Sequence, residues 1–420
     1  MTASSDRATP WQARSTLTAH NASQARIEFP RHRAFSAWRA RRLAAAKSEL
    51  GILDADLLSP AVAIELCDGC SLRCWFCALA PQPLRAVLDH ATERDLFRAI
   101  VQGCLAVIGA EIAPITLLYH GTEPHDNPHY LDYLRDFEAL TGSKVFTSTA
   151  VVEDAHWVAG LLRFYGDEAA SNLRFNLLST KSLCWLQRNF PPRALAGVEL
   201  AIRIEGTGFA FASSGRLLKQ SQGGRDLRDL GPDDDPRAAS VAQSSIACLN
   251  GVKINPPRRE IQLIAPCHAC RRWPLGYRVF DQAHFHDARD FSAVLTQLLA
   301  RATSPAPPPE HPLRFRDDLR YRATAGGFDL ISPRQIHHFS GAGPAARIGA
   351  LVADGNRSAR DVQRVLIRDQ GLNPLMAAAL IQGLFDDGFI DERVQPTDIP
   401  ERPFRPRPAT NPSPHVASEL

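Results

Sequence analysis

Five short apolar runs, AVAIEL (61–66), APITLLYH (113–120), SKVFTST (143–149), NLRFNLL (172–178) and VELAIRI (198–204), alternate with four stretches of helical period. Those stretches are ERDLFRAIVQGCLAVI, YLDYLRDFEAL, DAHWVAGLLRFY and TKSLCWLQRNF. A strand that follows another through a helix pairs parallel to it by a right-handed crossover. The pattern therefore predicts an α/β fold whose core is a barrel or partial (β/α) barrel over residues 31–302. In such folds the chemistry sits in the loops that follow the strands.

Outside that core the composition changes. Residues 1–30 are polar and 394–420 are Pro-rich, so both read as disordered tails. TSPAPPPEHP at 303–312 can form neither helix nor central strand and reads as a stiff linker. Beyond it, 313–393 reads as a small winged-helix-like domain. It has a hairpin, LRYRATAGGFDLISPRQIHHF, and three helices with Ser358 and Asn373 as N-caps, Pro374 at a first helical position, and Gly355, Gly371 and Gly388 as stops.

A net charge of +3 is too mild to imply nucleic acid, and no apolar run reaches membrane-span length. The polar stretch after Met1 lacks a secretion-type apolar segment, so the expected location is cytoplasmic. In a reducing compartment the nine cysteines point to metal chemistry rather than disulfides.

Four of the nine lie within CDGCSLRCWFC, residues 67–77, directly after the first predicted strand. Cys67/Cys70 and Cys74/Cys77 form two Cys-x2-Cys pairs, but the gap between the pairs is far shorter than in common zinc sites. Cys70-x3-Cys74-x2-Cys77, with aromatic Phe76 before the last thiol, suits three corners of a [4Fe–4S] cluster whose fourth iron stays open. Trp75 and Phe76 would shield it from water. Cys67 reads as a small buried residue, as do the helical Cys104 and Cys184.

This spacing resembles the defining motif of the radical S-adenosylmethionine superfamily. HGTEP, at 120–124 after the second strand, resembles the superfamily's Gly-Gly-Glu-Pro-like segment, with His120 at the first Gly position. The resemblance implies that Gly121, Thr122 and Glu123 receive the methionine end of S-adenosylmethionine bound at the open iron. His125, Asp126 and His129 nearby read as loop polar groups rather than metal ligands.

Taken with REIQLIAPCHACRRWPLGYRVF (259–280), the segments are similar to the epimerases that convert L-residues to D-residues in ribosomally made peptides. The resemblance implies a precursor peptide held by the C-terminal domain and a flavodoxin- or ferredoxin-type electron donor. An α-carbon radical made on one face must receive hydrogen from the other, and the weak S–H bond makes a thiol the natural source. Cys267, at a strand end expected opposite the cysteine loop around a closed barrel, is the first candidate, followed by Cys270 and Cys248. Arg271, Arg272, Trp273 and Tyr277 could grip a peptide backbone. Two alternatives stay open: another radical peptide modification such as cross-linking, and a zinc-stabilised winged-helix binding protein.

Overall fold

The computed structural model describes residues 27–50, 60–204, 214–216, 249–270, 272–332, 334–341 and 343–392. After helix α1 (Arg33–Leu50) come β1 (Val62–Ile64), a ribbon of β2 (Cys67–Asp68) and β3 (Ala86–Val87), α2 (His90–Val107) and β4 (Thr116–Leu117). The alternation continues through α3 (Tyr130–Thr141), β5 (Thr147–Thr149), α4 (Ala155–Tyr165), β6 (Leu173–Leu177), α5 (Thr180–Asn189) and β7 (Glu199–Ile202). Strands β8 (Gly251–Asn255), β9 (Glu260–Pro266) and β10 (Tyr277–His284) and helix α6 (Phe291–Ala302) complete the body.

Local chemistry explains these elements. Asp89 caps α2 by accepting from Ala91 N at 3.0 Å, and Leu96, Phe97, Ile100, Val101 and Cys104 then fall on one buried face. Strand β6 alternates, burying Leu173, Phe175 and Leu177 and turning Arg174 and Asn176 the other way, whereas β1 is buried throughout. On α5 only Ser182 and Leu186 are buried, one turn apart. Cys184 lies off that stripe and is exposed, which corrects its reading as a core residue.

The fold is mixed α/β with several sheets. One sheet has the order β10-β9-β8-β1-β4, in which β1 is parallel to both β4 and β8 while β8, β9 and β10 form an antiparallel meander. A second sheet, β5-β6-β7, is parallel throughout. No ladder joins β4 to β5, so no closed barrel forms among the described residues. This corrects the expectation of a closed barrel: the body's main strands form the two sheets β10-β9-β8-β1-β4 and β5-β6-β7. The strand-helix repeat continues across the β4–β5 break, and it is replaced by tight antiparallel connections only in β8–β10. Gly251 is required where β8 begins its pairing with β1, because a Cβ there would fall 2.0 Å from the Ala61 carbonyl oxygen.

The C-terminal module carries a three-stranded antiparallel sheet, β11 (Arg320–Thr324), β12 (Gly327–Ile331) and β13 (Ile336–Ser340), then helices α7 (Pro344–Asp354), α8 (Ala359–Gln370) and α9 (Pro374–Asp386). The expected hairpin thus gains a third strand, with Phe328 opposite Phe339 and their rings stacked 4.4 Å apart. Ser358 accepts from Asp361 N and Asn373 from Met376 N, as expected of N-caps. The module has its own core around Phe328, Leu330, Val352, Val362, Leu366 and Phe385.

Helix α1 is wedged between body and module and buries charge on both sides. Towards the body, Arg39 and Asn250 exchange side-chain-to-carbonyl hydrogen bonds at 3.2 and 3.1 Å, and the Glu49 carboxylate takes both Arg278 Nη atoms at 2.7 and 3.0 Å together with His268 N at 2.9 Å. Towards the module, Arg41 and Arg42 both bind Glu392, Arg41 also reaches Ser304 O, and its guanidinium stacks 4.1 Å from the Phe385 ring centroid. Residues 27–30, placed in the N-terminal tail by sequence, lead into α1, and Phe29 is fully buried against Phe35. Among the described residues no helix is long and apolar enough to cross a membrane.

Candidate metal centre

Pairing of β2 with β3 ties residues 69–85 into a closed loop that leaves the C-terminal end of β1. Within it Cys70 N donates to Gln82 O at 3.0 Å and Cys77 N to Cys74 O at 3.2 Å, while Trp75 and Phe76 meet edge to face. Asn127 Nδ2 ties both ends of the loop to the turn after β4, donating to Leu66 O and Leu88 O at 3.1 and 2.9 Å. From the same turn, Asp126 accepts from Ser71 N at 2.8 Å. His125 pairs with Asp154 at 3.2 Å, and His129 lies 3.6 Å from Asp89. His125, Asp126 and His129 each contact a loop or helix-cap group in this way.

Cys67 and Cys70 are buried, Cys74 and Cys77 partly exposed, and all four are free thiols. Burial pushes the Cys70 thiol up to about 12, and burial followed by the charge of Cys77 pushes Cys74 up to about 11. Without a metal these thiols stay protonated, so an incoming cation must displace protons.

Among the described residues no three Cys, His, Asp or Glu side chains gather around one point that could hold a single metal ion. An iron–sulfur cluster makes a different demand, since its thiolates bind separate corners rather than one atom. Three unpaired thiols on one closed loop, each of the first two sensing the charge of Cys77, fit that demand by their chemistry.

The turn after β4 carries Gly121, Thr122 and Glu123. The Glu123 carboxylate is buried and already held, by Thr149 Oγ1 and His125 N on one oxygen and Ala150 N at 3.0 Å on the other. Burial raises its pKa from 4.5 to about 7 against the pull of those donors. A raised carboxyl pKa favours the protonated native state, so this group's contribution is full below pH 4.5 and is lost as pH climbs through about 7. Wild-type protein should lose up to about 3 kcal/mol over that interval from this site. Glu123→Gln should flatten the slope even if the amide lowers stability at every pH. Urea melts across the interval check this, and parallel slopes in the two proteins would refute it.

Sequence reading missed a second buried cluster beside this turn. Glu65, the one acid within the first apolar run, accepts from Gly121 N at 2.8 Å and Asn255 Nδ2 at 3.2 Å, and lies 3.4 Å from Lys253 Nζ. Lys253 also sits 5.8 Å from the Tyr277 ring centroid, and burial drives His120 down to about 4, so its ring is neutral at pH 7. A lysine inside the apolar run GVKIN and an acid inside AVAIEL were the available signals.

Of the candidate hydrogen donors, Cys267 and Cys270 lie in the connection between β9 and β10. Because β8 lies between them, parallel to β1 and antiparallel to β9, the end of β9 is level with the start of β1, while the cysteine loop leaves the end of β1. Among the described residues Cys267 has no closed barrel to face the loop across, but its connection is joined to the cysteine loop, since residues 214–216 hydrogen-bond both Pro274 O and the loop carbonyls of Cys77 and Ala78. Cys267 is buried in the β9–β10 connection, its thiol pushed far up by burial, with Arg278, Glu49, Cys270 and Asp318 as the charges around it. Cys270 is partly exposed, and Arg272 stacks on Trp273 at 5.2 Å. Cys248 and Arg271 lie outside the described residues.

Fold and site together define a mixed α/β protein with a thiol-bearing loop at the end of a parallel strand and a separate sheet-and-three-helix module at its C-terminus. The chain belongs to the y4wI family. It is 32% identical over 365 residues to the uncharacterized protein y4wI of Sinorhizobium fredii (strain NBRC 101917 / NGR234), which spans 85% of this chain and 69% of that protein. The family model for the y4wI C-terminal domain matches residues 313–388. No solved structure matches the chain.

Proposed function

We propose that this protein is a radical S-adenosylmethionine enzyme that converts L-residues to D-residues in a ribosomally made precursor peptide. The observation that carries the reading is the closed loop bearing Cys70, Cys74 and Cys77 as free thiols at the end of β1, tied through Asn127 to the Gly121–Glu123 turn after β4. Those three thiols would hold a [4Fe–4S] cluster, with Phe76 beside the last of them. When bound, the cluster and S-adenosylmethionine supply the electron transfer and the carbon radical that remove an α-hydrogen.

The remaining work falls to the chain. Glu123 would offer the methionine ammonium a carboxylate whose orientation Thr149, Ala150 and His125 already fix, with Gly121 and Thr122 alongside. A high thiol pKa keeps the S–H bond intact at neutral pH, and Cys267 meets that condition, with Cys270 and Cys248 as further candidates. The donated hydrogen atom completes the inverted α-carbon. It leaves a sulfur radical that takes one electron from a flavodoxin- or ferredoxin-type donor and one proton from solvent.

The C-terminal module would hold the leader part of the peptide. β11 is an outer strand of its sheet, so its outward backbone groups can pair with an added strand. Beside it lies a cleft of about 430 Å³ lined by Phe315, Leu319, Tyr321, Val352 and Asn356 among others. On α8, Arg360, Arg364 and Arg368 each pair with an acid, Glu310, Asp361 and Asp369, which leaves that helix poorly suited to DNA.

Co-expression with a precursor peptide in heavy water tests the reading. D-residues carrying deuterium at each inverted α-carbon are expected, and Cys267→Ala, Cys270→Ala and Cys248→Ala would separate the donors. Loss of hydrogen without deuterium gain would replace epimerisation by cross-linking. Colourless protein holding zinc would overturn the enzyme reading altogether.

A further inference from the structure

Three residues that no motif singles out, Ser214, Gly215 and Arg216, lie directly on the cysteine loop. Arg216 N donates to Cys77 O at 3.0 Å. Its guanidinium donates from Nη2 to Pro81 O at 2.8 Å, and from Nη1 to Leu72 O and Cys74 O, both at 3.4 Å. Ser214 Oγ donates to Ala78 O at 3.4 Å, and Gly215 N donates to Pro274 O at 3.0 Å in the β9–β10 connection.

One side chain and one amide thus bind carbonyls on both sides of Cys74 and Cys77. Between Ser71 and Pro81 the loop has no regular ladder to satisfy its own carbonyls. A planar fork of five donors can reach several of them at once, which a single ammonium cannot. The approach is close: Gly215 has φ +58°, and a Cβ there would fall 2.2 Å from Ala78 O. That combination admits glycine alone.

We propose that Arg216 is a positioning residue for the cysteine loop, holding residues 72–81 in one arc so that Cys70, Cys74 and Cys77 are presented together. For what the thiols then bind, the inference rests on the iron–sulfur reading. The clamp itself is a property of the metal-free chain, so the two can fail separately.

Two rates test it. The first is alkylation of Cys74 and Cys77 by iodoacetamide in metal-free protein, read by peptide mass spectrometry. The second is loss of iron to a chelator after anaerobic reconstitution with iron and sulfide. Arg216→Gln should raise both about tenfold, given what hydrogen bonds from a charged donor contribute. Arg216→Lys should behave like Arg216→Gln, since it keeps the charge and loses the fork. Rates equal to wild type in Arg216→Gln would overturn the clamp, and wild-type rates in Arg216→Lys would reduce it to a charge effect and overturn the positioning role. Wild-type protein that takes up no iron would overturn the iron–sulfur reading while the alkylation rates still decide the clamp. Should Arg216→Gln fail to fold by circular dichroism, Gly215→Ala pushes the same strap off Ala78 O, and unchanged alkylation there overturns the proposal.

Discussion

Cys74→Ala protein, reconstituted with iron and sulfide under anaerobic conditions, should cleave S-adenosylmethionine at least about a hundredfold more slowly than wild type, because loss of a direct ligand exceeds the 10–100-fold effects of outer-shell changes. Cys70→Ala and Cys77→Ala should match it, and all three should lose the brown absorbance of the cluster. Cys67→Ala should retain both properties, since that thiol is buried in β2 with its pKa driven up by burial and by surrounding acids. Iron content, absorbance and 5'-deoxyadenosine formation measure the outcome. The assignment to Cys70, Cys74 and Cys77 fails if Cys67→Ala alone loses iron.

The largest effect on stability should come from Glu49→Ala. The Glu49 carboxylate accepts three hydrogen bonds while 2% exposed, two of them from Arg278. Burial alone would pull the Arg278 pKa down, but Glu49, with Cys267 and Asp318, more than reverses this. Removing the carboxylate leaves a buried guanidinium short of its main partner and an amide without an acceptor, which costs about 3–5 kcal/mol. Urea denaturation should show the loss. A double variant, Glu49→Met with Arg278→Met, should recover most of it, because two apolar groups strand no charge. If the single and double variants melt alike, the pair contributes through packing rather than charge.

Much of this architecture was legible in the sequence because it is local. Strands β1 and β4–β7 and helices α2–α5 follow from a period, and the caps Ser358 and Asn373 from single side chains next to the amides they bind. Helix α1, which buries arginines and a glutamate, and the two-residue strands β2 and β3 carry no such signal. Long-range arrangement was not legible. That β8, about 190 residues after β1, lies beside it depends on Gly251 admitting the Ala61 carbonyl, and one glycine among 26 carries no such message. The three thiols were readable from their spacing, whereas Arg216 was not, since its partners are backbone carbonyls more than 130 residues away. For Cys267 the strand was recognised, but its antiparallel pairing with β8 was not.

The arginines of α1 bear on how this protein can be divided. The segment matched by the family model ends at residue 388, four short of the glutamate that holds Arg41 and Arg42. A fragment cut at that boundary would carry away the Phe385 ring and leave Glu392 on neither side, and the helix left behind would face water with two unmatched guanidiniums where it now has a wall. The two halves therefore share buried charge through α1. A graft of the C-terminal half onto another body would have to bring α1 with it.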